Sequence, residues 1–300
     1  MTTQKKSIGL IGAGLMGSGI ATSLLRNGFP LTILEHEGNQ PLTTLQAAGA
    51  TTCARAADLS GQVDVVILCV TGSPQVEAVL FAADGVLQGL KPGTMVIDCS
   101  TAIPASTLKI AEAVRNAGGR FLDAPMTRTP KEAAEGRLNL IVGASIDDFQ
   151  AALPVLQAYA EKIVHAGPVG AGHQMKLLHN YVSLGYTAVL AEAAASARLA
   201  GVDAHAFCDI LADGGGGGVV LERLRPFIED GDIASFRFSV SNALKDLDYY
   251  CTMADQQGSR HVVADSVREL YAEASDAGLA QAPVPQLVDH LASMPTRSES

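Results

Sequence analysis

Apolar and polar positions follow two regimes along the chain. Up to about residue 167, short apolar runs alternate with stretches of helical periodicity. Ser7–Ile11, Leu31–Leu34, Val63–Val70 and Thr94–Asp98 read as strands, and Phe121–Pro125 as a further strand end. Val63–Val70 (VDVVILCV) is apolar without alternation, as expected of a parallel strand covered on both faces. Ile20, Leu24 and Leu25 recur at helical spacing until Asn27-Gly28, and Pro104 opens another helix at a favoured first-turn position. Leu138–Val142 and Lys162–His165 read as extra strands around a helix over Asp147–Tyr159. Strands alternating with helices predict a doubly wound α/β sheet. Beyond Pro168 the strand signal fades. Lys176–Leu199 is one long helical pattern ending at Gly201, and 203–212, 219–230, 239–258, 261–277 and 284–293 read as helices. The pattern predicts an α/β domain over 1–167 and an all-α domain over 168–300, joined by the long helix. Gly214–Gly218 reads as a mobile loop and candidate lid, since ordering five glycines costs much chain entropy, and Pro295–Ser300 as a frayed tail.

Composition narrows the class. With 300 residues, 48% of them hydrophobic, the chain can build two cores. No apolar run reaches the ~18 residues of a membrane span, and the first residues lack an export signal. The five cysteines have no metal-ligand or disulfide spacing, which points to no metal and to a reducing, cytoplasmic setting. A net charge of −10 disfavours nucleic acid as a partner.

The chemistry begins after the first strand. Gly12, Gly14 and Gly17, with Leu15 and Met16 between them, form G-x-G-x-x-G at a strand-to-helix turn. Gly12 permits the turn, Gly14 lets backbone approach a pyrophosphate, and Gly17 lets the helix pack closely. The helix N-terminus offers N–H groups to phosphates. Glu35, at the end of the second strand, suits a ribose hydroxyl pair and opposes a 2′-phosphate, so NAD is favoured over NADP. Its alternative is a solvated loop acid. Val70-Thr71 and Ser100-Thr101 fall at carboxyl ends of strands, on the expected cofactor rim, although Ser and Thr there also cap helices. Arg128, between Thr127 and Thr129, suits a carboxylate, sulfonate or phosphate; an ordinary loop arginine is equally compatible. Lys176 and Asn180 are one helical turn apart in GAGHQMKLLHNY, so ammonium and amide can share a face.

Together these motifs resemble the β-hydroxyacid dehydrogenase family, the group of 3-hydroxyisobutyrate dehydrogenase, tartronate semialdehyde reductase and 6-phosphogluconate dehydrogenase. GLIGAGLMGSGIA is similar to its glycine signature, Asp98-Cys99-Ser100-Thr101 to its D-x-S-T segment, Asp123-Ala124-Pro125 to the start of its substrate-anion loop, Gly170–Asn180 to its G-x-G-x-x-x-K-x-x-N-N segment, and Lys245-Asp246-Leu247 to its late K-D-L. The resemblance implies a Rossmann domain followed by an all-α domain, and homodimers or homotetramers. It implies Lys176 as catalytic acid/base, Asn180 and Ser100 at the substrate, Thr101 beside the nicotinamide, and Lys245 closing over the cofactor side.

Two departures shape the substrate expectation. Thr127-Arg128-Thr129 replaces the family's S-G-G and resembles the branch that reduces 3-sulfolactaldehyde. His179-Asn180 replaces Asn-Asn, so His179 either contacts substrate or is an ordinary neighbour. The expected activity is NAD-dependent interconversion of a small anionic 3-hydroxy acid and its aldehyde or ketone. Alternatives are a β-hydroxy amino acid, 3-hydroxyisobutyrate or tartronate semialdehyde as substrate. From other classes come an imine reductase, which Lys176 argues against, and a nucleotide-sensing binding protein.

Overall fold

In a computed structural model, residues 5–234 and 236–293 are described; the expected tail at Pro295–Ser300 lies outside them. The chain divides into two compact units, Met1–Lys176 and Leu177–Ser300.

Among the described residues, the first unit is built on a nine-stranded sheet. Its strands are β1 (Ile8–Ile11), β2 (Leu31–Leu34), β3 (Thr51–Cys53), β4 (Val65–Leu68), β5 (Met95–Asp98), β6 (Arg120–Asp123), β7 (Met126–Thr127), β8 (Leu138–Gly143) and β9 (Ala160–Gly167). The order β3-β2-β1-β4-β5-β6 is parallel throughout, β8 runs antiparallel to β6 and β7, and β9 pairs parallel with β8. The chain reverses its lateral direction between β1 and β4. In such sheets ligands bind beyond the strand carboxyl ends at that switch point.

The unbroken apolar character of β4 has its explanation here. Val65 and Ile67 enter one buried cluster with Ile8, Leu10, Ile33 and Ile97, while Val66 and Leu68 enter another with Ile11, Val96 and Phe121. Side chains alternate faces, so a sheet covered on both sides needs apolar residues at every position. The helices of this unit are α1 (Leu15–Arg26), α2 (Thr43–Ala47), α3 (Ala56–Ser60), α4 (Ser73–Phe81), α5 (Val86–Gly89), α6 (Pro104–Asn116), α7 (Pro130–Glu135) and α8 (Ile146–Leu156). The short elements α2, β3, α3, α5 and β7 carry too few residues for a clear period.

The long helix α9 (Ala171–Leu199) begins five residues before the expected start at Lys176. Gly170 adopts φ +94°, and the buried Asp123 carboxylate accepts from the N–H groups of Gly170 (2.7 Å) and His173 (2.8 Å). A carboxylate from β6 thus caps the first turn, satisfying donors that have no intrahelical acceptor.

The second unit continues α9 and adds α10 (Ala204–Asp213), α11 (Val219–Asp230), α12 (Val240–Gln257), α13 (Val262–Ala274) and α14 (Leu287–Ser293). Leu184, Ala188 and Ala191 of α9 share a buried core with Val240, Leu247, Tyr271 and Leu287. The five-glycine run forms the turn between α10 and α11, where the Tyr186 hydroxyl donates to the Gly216 carbonyl. Among the described residues no helix is long and apolar enough to cross a membrane.

Candidate active site

The glycine loop is shaped by contacts a side chain would break. Gly12 adopts φ +92°, and a Cβ there would lie 2.3 Å from the Cys69 carbonyl oxygen. A Cβ on Gly17 would lie 1.9 Å from the Gly12 carbonyl oxygen. Gly14 is different: it is the N-cap of α1 and a Cβ there meets nothing within 4 Å among the described residues. Two glycines therefore serve packing and one leaves a bare approach to the helix N-terminus, with no acidic residue in the first turn. Leu15 is exposed and Met16 half-buried beside it. These residues fit the pyrophosphate of a dinucleotide.

Glu35 is exposed at the end of β2 and accepts a 2.7 Å hydrogen bond from the Thr52 hydroxyl. Asn39, absent from the sequence expectations, ties this strand end to the glycine loop. Its Oδ1 accepts from Ala13 N–H at 3.0 Å and its Nδ2 donates to the Leu34 carbonyl at 2.9 Å.

On the other side of the switch point, the Val70 N–H donates to the Ser100 hydroxyl oxygen at 3.1 Å. Ser100 is buried, whereas Thr71 is exposed and Thr101 half-buried. Asp98, at the end of β5, is fully buried and accepts from the Ser100 N–H at 2.9 Å. Burial pushes its carboxyl up from the usual aspartate range, against the opposing pull of His173 and the Ser100 N–H. Burial likewise pushes the Cys69 thiol up to about 12.

Lys176 is half-buried, and its Nζ donates to the Met126 carbonyl at 2.7 Å. The fold thereby brings the lysine to the head of the Met126–Thr129 loop. Thr127 Oγ1 accepts from Asn139 Nδ2 at 3.3 Å. Thr129 caps α7, with its hydroxyl and N–H both on the Glu132 carboxylate. The Arg128 guanidinium donates to the Glu161 carboxylate and the Arg137 carbonyl. That ion pair holds the exposed Glu161 carboxyl below its ordinary range. Arg128 also has φ +83°, the one positive φ at a non-glycine among the described residues. This is backbone that glycine adopts freely and an L side chain resists.

In the second unit, the Asn180 amide is buried and donates to Asp246 Oδ2 at 2.6 Å. Its Oδ1 lies 3.0 Å from Nδ1 of the exposed His179. Lys245 Nζ lies 3.0 Å from the other Asp246 oxygen. Asp246 thus orients Asn180, a role the K-D-L motif did not reveal. Cys251, His261 and Asp265 also converge, their ligand-type atoms within 4.8 Å of one another. Here the imidazole already pairs with Asp255 at 2.8 Å and Asp265 at 3.1 Å.

Comparison with known proteins gives the family. Residues 7–167 match the family model for the NAD binding domain of 6-phosphogluconate dehydrogenase. Residues 170–291 match that for the NAD-binding region of NADP-dependent 3-hydroxyisobutyrate dehydrogenase. The NAD-dependent L-serine dehydrogenase of Pseudomonas aeruginosa is 36% identical over 222 residues, 74% of each chain. The 3-sulfolactaldehyde reductase of Escherichia coli is 29% identical over 273 residues, 91% of each chain. The crystal structure of 3-hydroxyisobutyrate dehydrogenase from Salmonella typhimurium superposes with a TM-score of 0.83 at 29% identity, covering 95% of this chain and 99% of the other. The chain belongs to the β-hydroxyacid dehydrogenase family, NAD(P)-dependent oxidoreductases that act on the CH–OH group of 3-hydroxy acids.

Proposed function

We propose that the protein interconverts a small anionic 3-hydroxy acid and its aldehyde or ketone, with Lys176 as acid/base and Arg128 as the clamp for the substrate's anion. The observation that carries this reading is the 2.7 Å hydrogen bond from Lys176 Nζ to the Met126 carbonyl, two residues from Arg128. It sets a proton-bearing group at the loop that holds the cationic group.

Bound NAD accepts or supplies the hydride at the hydroxyl-bearing carbon. The chain must move the proton. In oxidation the neutral amine of Lys176 takes the hydroxyl proton; in reduction its ammonium returns one to the developing alkoxide. Asn180, its amide fixed by Asp246, keeps one N–H for a substrate oxygen. Glu35 selects NAD over NADP by opposing a 2′-phosphate. Ser100 and Thr101 line the rim between cofactor and substrate, His179 borders Asn180, and Lys245 acts from the cofactor side.

Arg128 meets the substrate only by sharing or exchanging its carboxylate partner. Its bond to Glu161 is an exposed ion pair, which water screens and weakens. A carboxylate or sulfonate held bidentately replaces it at little cost. A left-handed arginine costs about 1–2 kcal/mol relative to glycine, so retaining it here is consistent with a task for the side chain.

Within this class, reduction of 3-sulfolactaldehyde is the reading that the Thr127-Arg128-Thr129 loop favours. Oxidation of a β-hydroxy amino acid is favoured by the 36% identity to the L-serine dehydrogenase. The test is NADH and NADPH turnover over a panel of the sulfonate pair, tartronate semialdehyde/glycerate, 3-hydroxyisobutyrate, serine and threonate, with Arg128→Gly alongside. Loss of substrate affinity in the variant, with NADH binding kept, supports the clamp. An unchanged KM for the best substrate returns Arg128 to a loop residue.

A further inference from the structure

A buried polar knot lies beneath the Ser100 segment and the first turn of α9. His173 is wholly buried. Its Nδ1 lies 2.7 Å from the Thr107 hydroxyl, and its Nε2 lies 3.1 Å from the Ser100 carbonyl. A carbonyl only accepts, so Nε2 carries a proton. Asp98 Oδ2, which has no hydrogen-bond partner among the described residues, and Asp123 Oδ2 each lie 3.9 Å from a ring nitrogen. The residue's own N–H is held by Asp123 at 2.8 Å.

These contacts join three parts of the first unit: the Val70–Ser100 loops, α6 through Thr107, and the turn of α9 that precedes Lys176. His173 is three residues before Lys176, on the same helix face. Filling space would need only an apolar side chain of similar volume. The ring instead spans two polar partners at opposite ends, which fixes both its plane and the distance between α9 and the Ser100 carbonyl.

We propose that His173 is a positioning residue for Lys176. It sets the height of the first turn of α9 above the Ser100 segment, and so the reach of the Lys176 ammonium. This rests on the acid/base reading of Lys176.

The test uses the full-length enzyme and compares His173→Leu, His173→Gln, Lys176→Ala and the double variant His173→Leu/Lys176→Ala. The readouts are kcat, its pH profile, NADH binding and Tm. His173→Leu should lose about ten- to hundredfold in kcat, the scale of a misplacement near 1 Å, with a displaced pH profile and NADH binding retained. His173→Gln, whose amide still reaches the Ser100 carbonyl, should recover most of the rate. The double variant should be no slower than Lys176→Ala.

Wild-type kcat and pH profile in His173→Leu, with Lys176→Ala inactive, overturns this inference alone. Losses that multiply in the double variant overturn it too, because His173 then acts elsewhere. An active Lys176→Ala overturns the acid/base reading and this inference with it. If His173→Leu does not fold, His173→Asn decides. It keeps the Thr107 end without reaching Ser100, so a wild-type rate and pH profile there overturns the proposal.

Discussion

The contact of α9 with β8 offers a substitution whose two effects oppose each other. Gly172 lies in the first turn of α9, and a Cβ there would lie 2.5 Å from the Ile141 carbonyl oxygen, 2.7 Å from Asp123 Oδ2 and 2.9 Å from the Gly143 nitrogen. All are backbone or a carboxylate already fixed by two hydrogen bonds. Ordinary contact begins at 3.4 Å, so the turn must retreat by roughly 0.9 Å. Helix propensity favours alanine over glycine by about 1 kcal/mol. Overpacking costs about 1–3 kcal/mol. The net for Gly172→Ala is a loss near 1 kcal/mol, a fall in Tm of about 2–4 °C for a unit of this size. Lys176 is the residue one turn above Gly172, and a retreat of that size stretches its 2.7 Å bond to Met126 beyond hydrogen-bond range. We expect kcat to fall about tenfold to a hundredfold, with NADH binding unchanged. Thermal melts, steady-state kinetics and NADH fluorescence titration measure the three quantities. A variant with wild-type kcat and wild-type Tm would refute the claim that this approach sets the lysine.

Three further outcomes follow from the geometry. Gly14→Ala should fold with an unchanged Tm yet bind NADH at least tenfold more weakly, whereas Gly17→Ala, pressed on the Gly12 carbonyl, should lose both affinity and about 1–3 kcal/mol of stability; isothermal titration and melts separate the two. Asp246→Ala strands the buried Asn180 amide, so it should cost about 1–3 kcal/mol and raise KM for the hydroxy acid, while Asp246→Asn restores most of the stability. Asp64 accepts from the Ser7 N–H at 2.7 Å and the Ser7 hydroxyl at 2.8 Å, which holds its carboxyl below the usual range. Its folded pKa is below its unfolded one, so this stabilisation is present above the ordinary aspartate value and is lost as pH falls through the folded one. Asp64→Asn should flatten the acid side of a Tm-against-pH curve.

The larger elements were legible because their periods were. β1, β2, β4 and β5 announced themselves as apolar runs, and α10–α14 fell within a few residues of their expected bounds. The residues three and four apart around Lys176 place it on a helix, yet α9 begins five residues before the pattern shows it. No local signal shows that Asp123 caps Gly170 and His173 from across the chain. The same limit hid Asn39, Glu161 and the Asp246–Asn180 pair, which meet only through tertiary packing. A signal did exist for Asp98 and Asp123. Each ends an apolar run at the close of a strand, and a buried carboxylate there must be capping or pairing something.

The clasp of Asp123 on α9 also bears on how the chain assembles. Gly170 and His173 lie 47 and 50 residues beyond their acceptor, so the first turn of the helix forms only once β6 is in place. Its nucleus is therefore non-local, although the remaining hydrogen bonds of a helix are local. In exchange with deuterated solvent, the amides of Gly170 and His173 are expected to exchange with the cooperative unit of the sheet rather than with their own helix. Local opening of β6, an inner strand between β5 and β8, would release the lysine-bearing turn while the distal turns of α9 stayed wound.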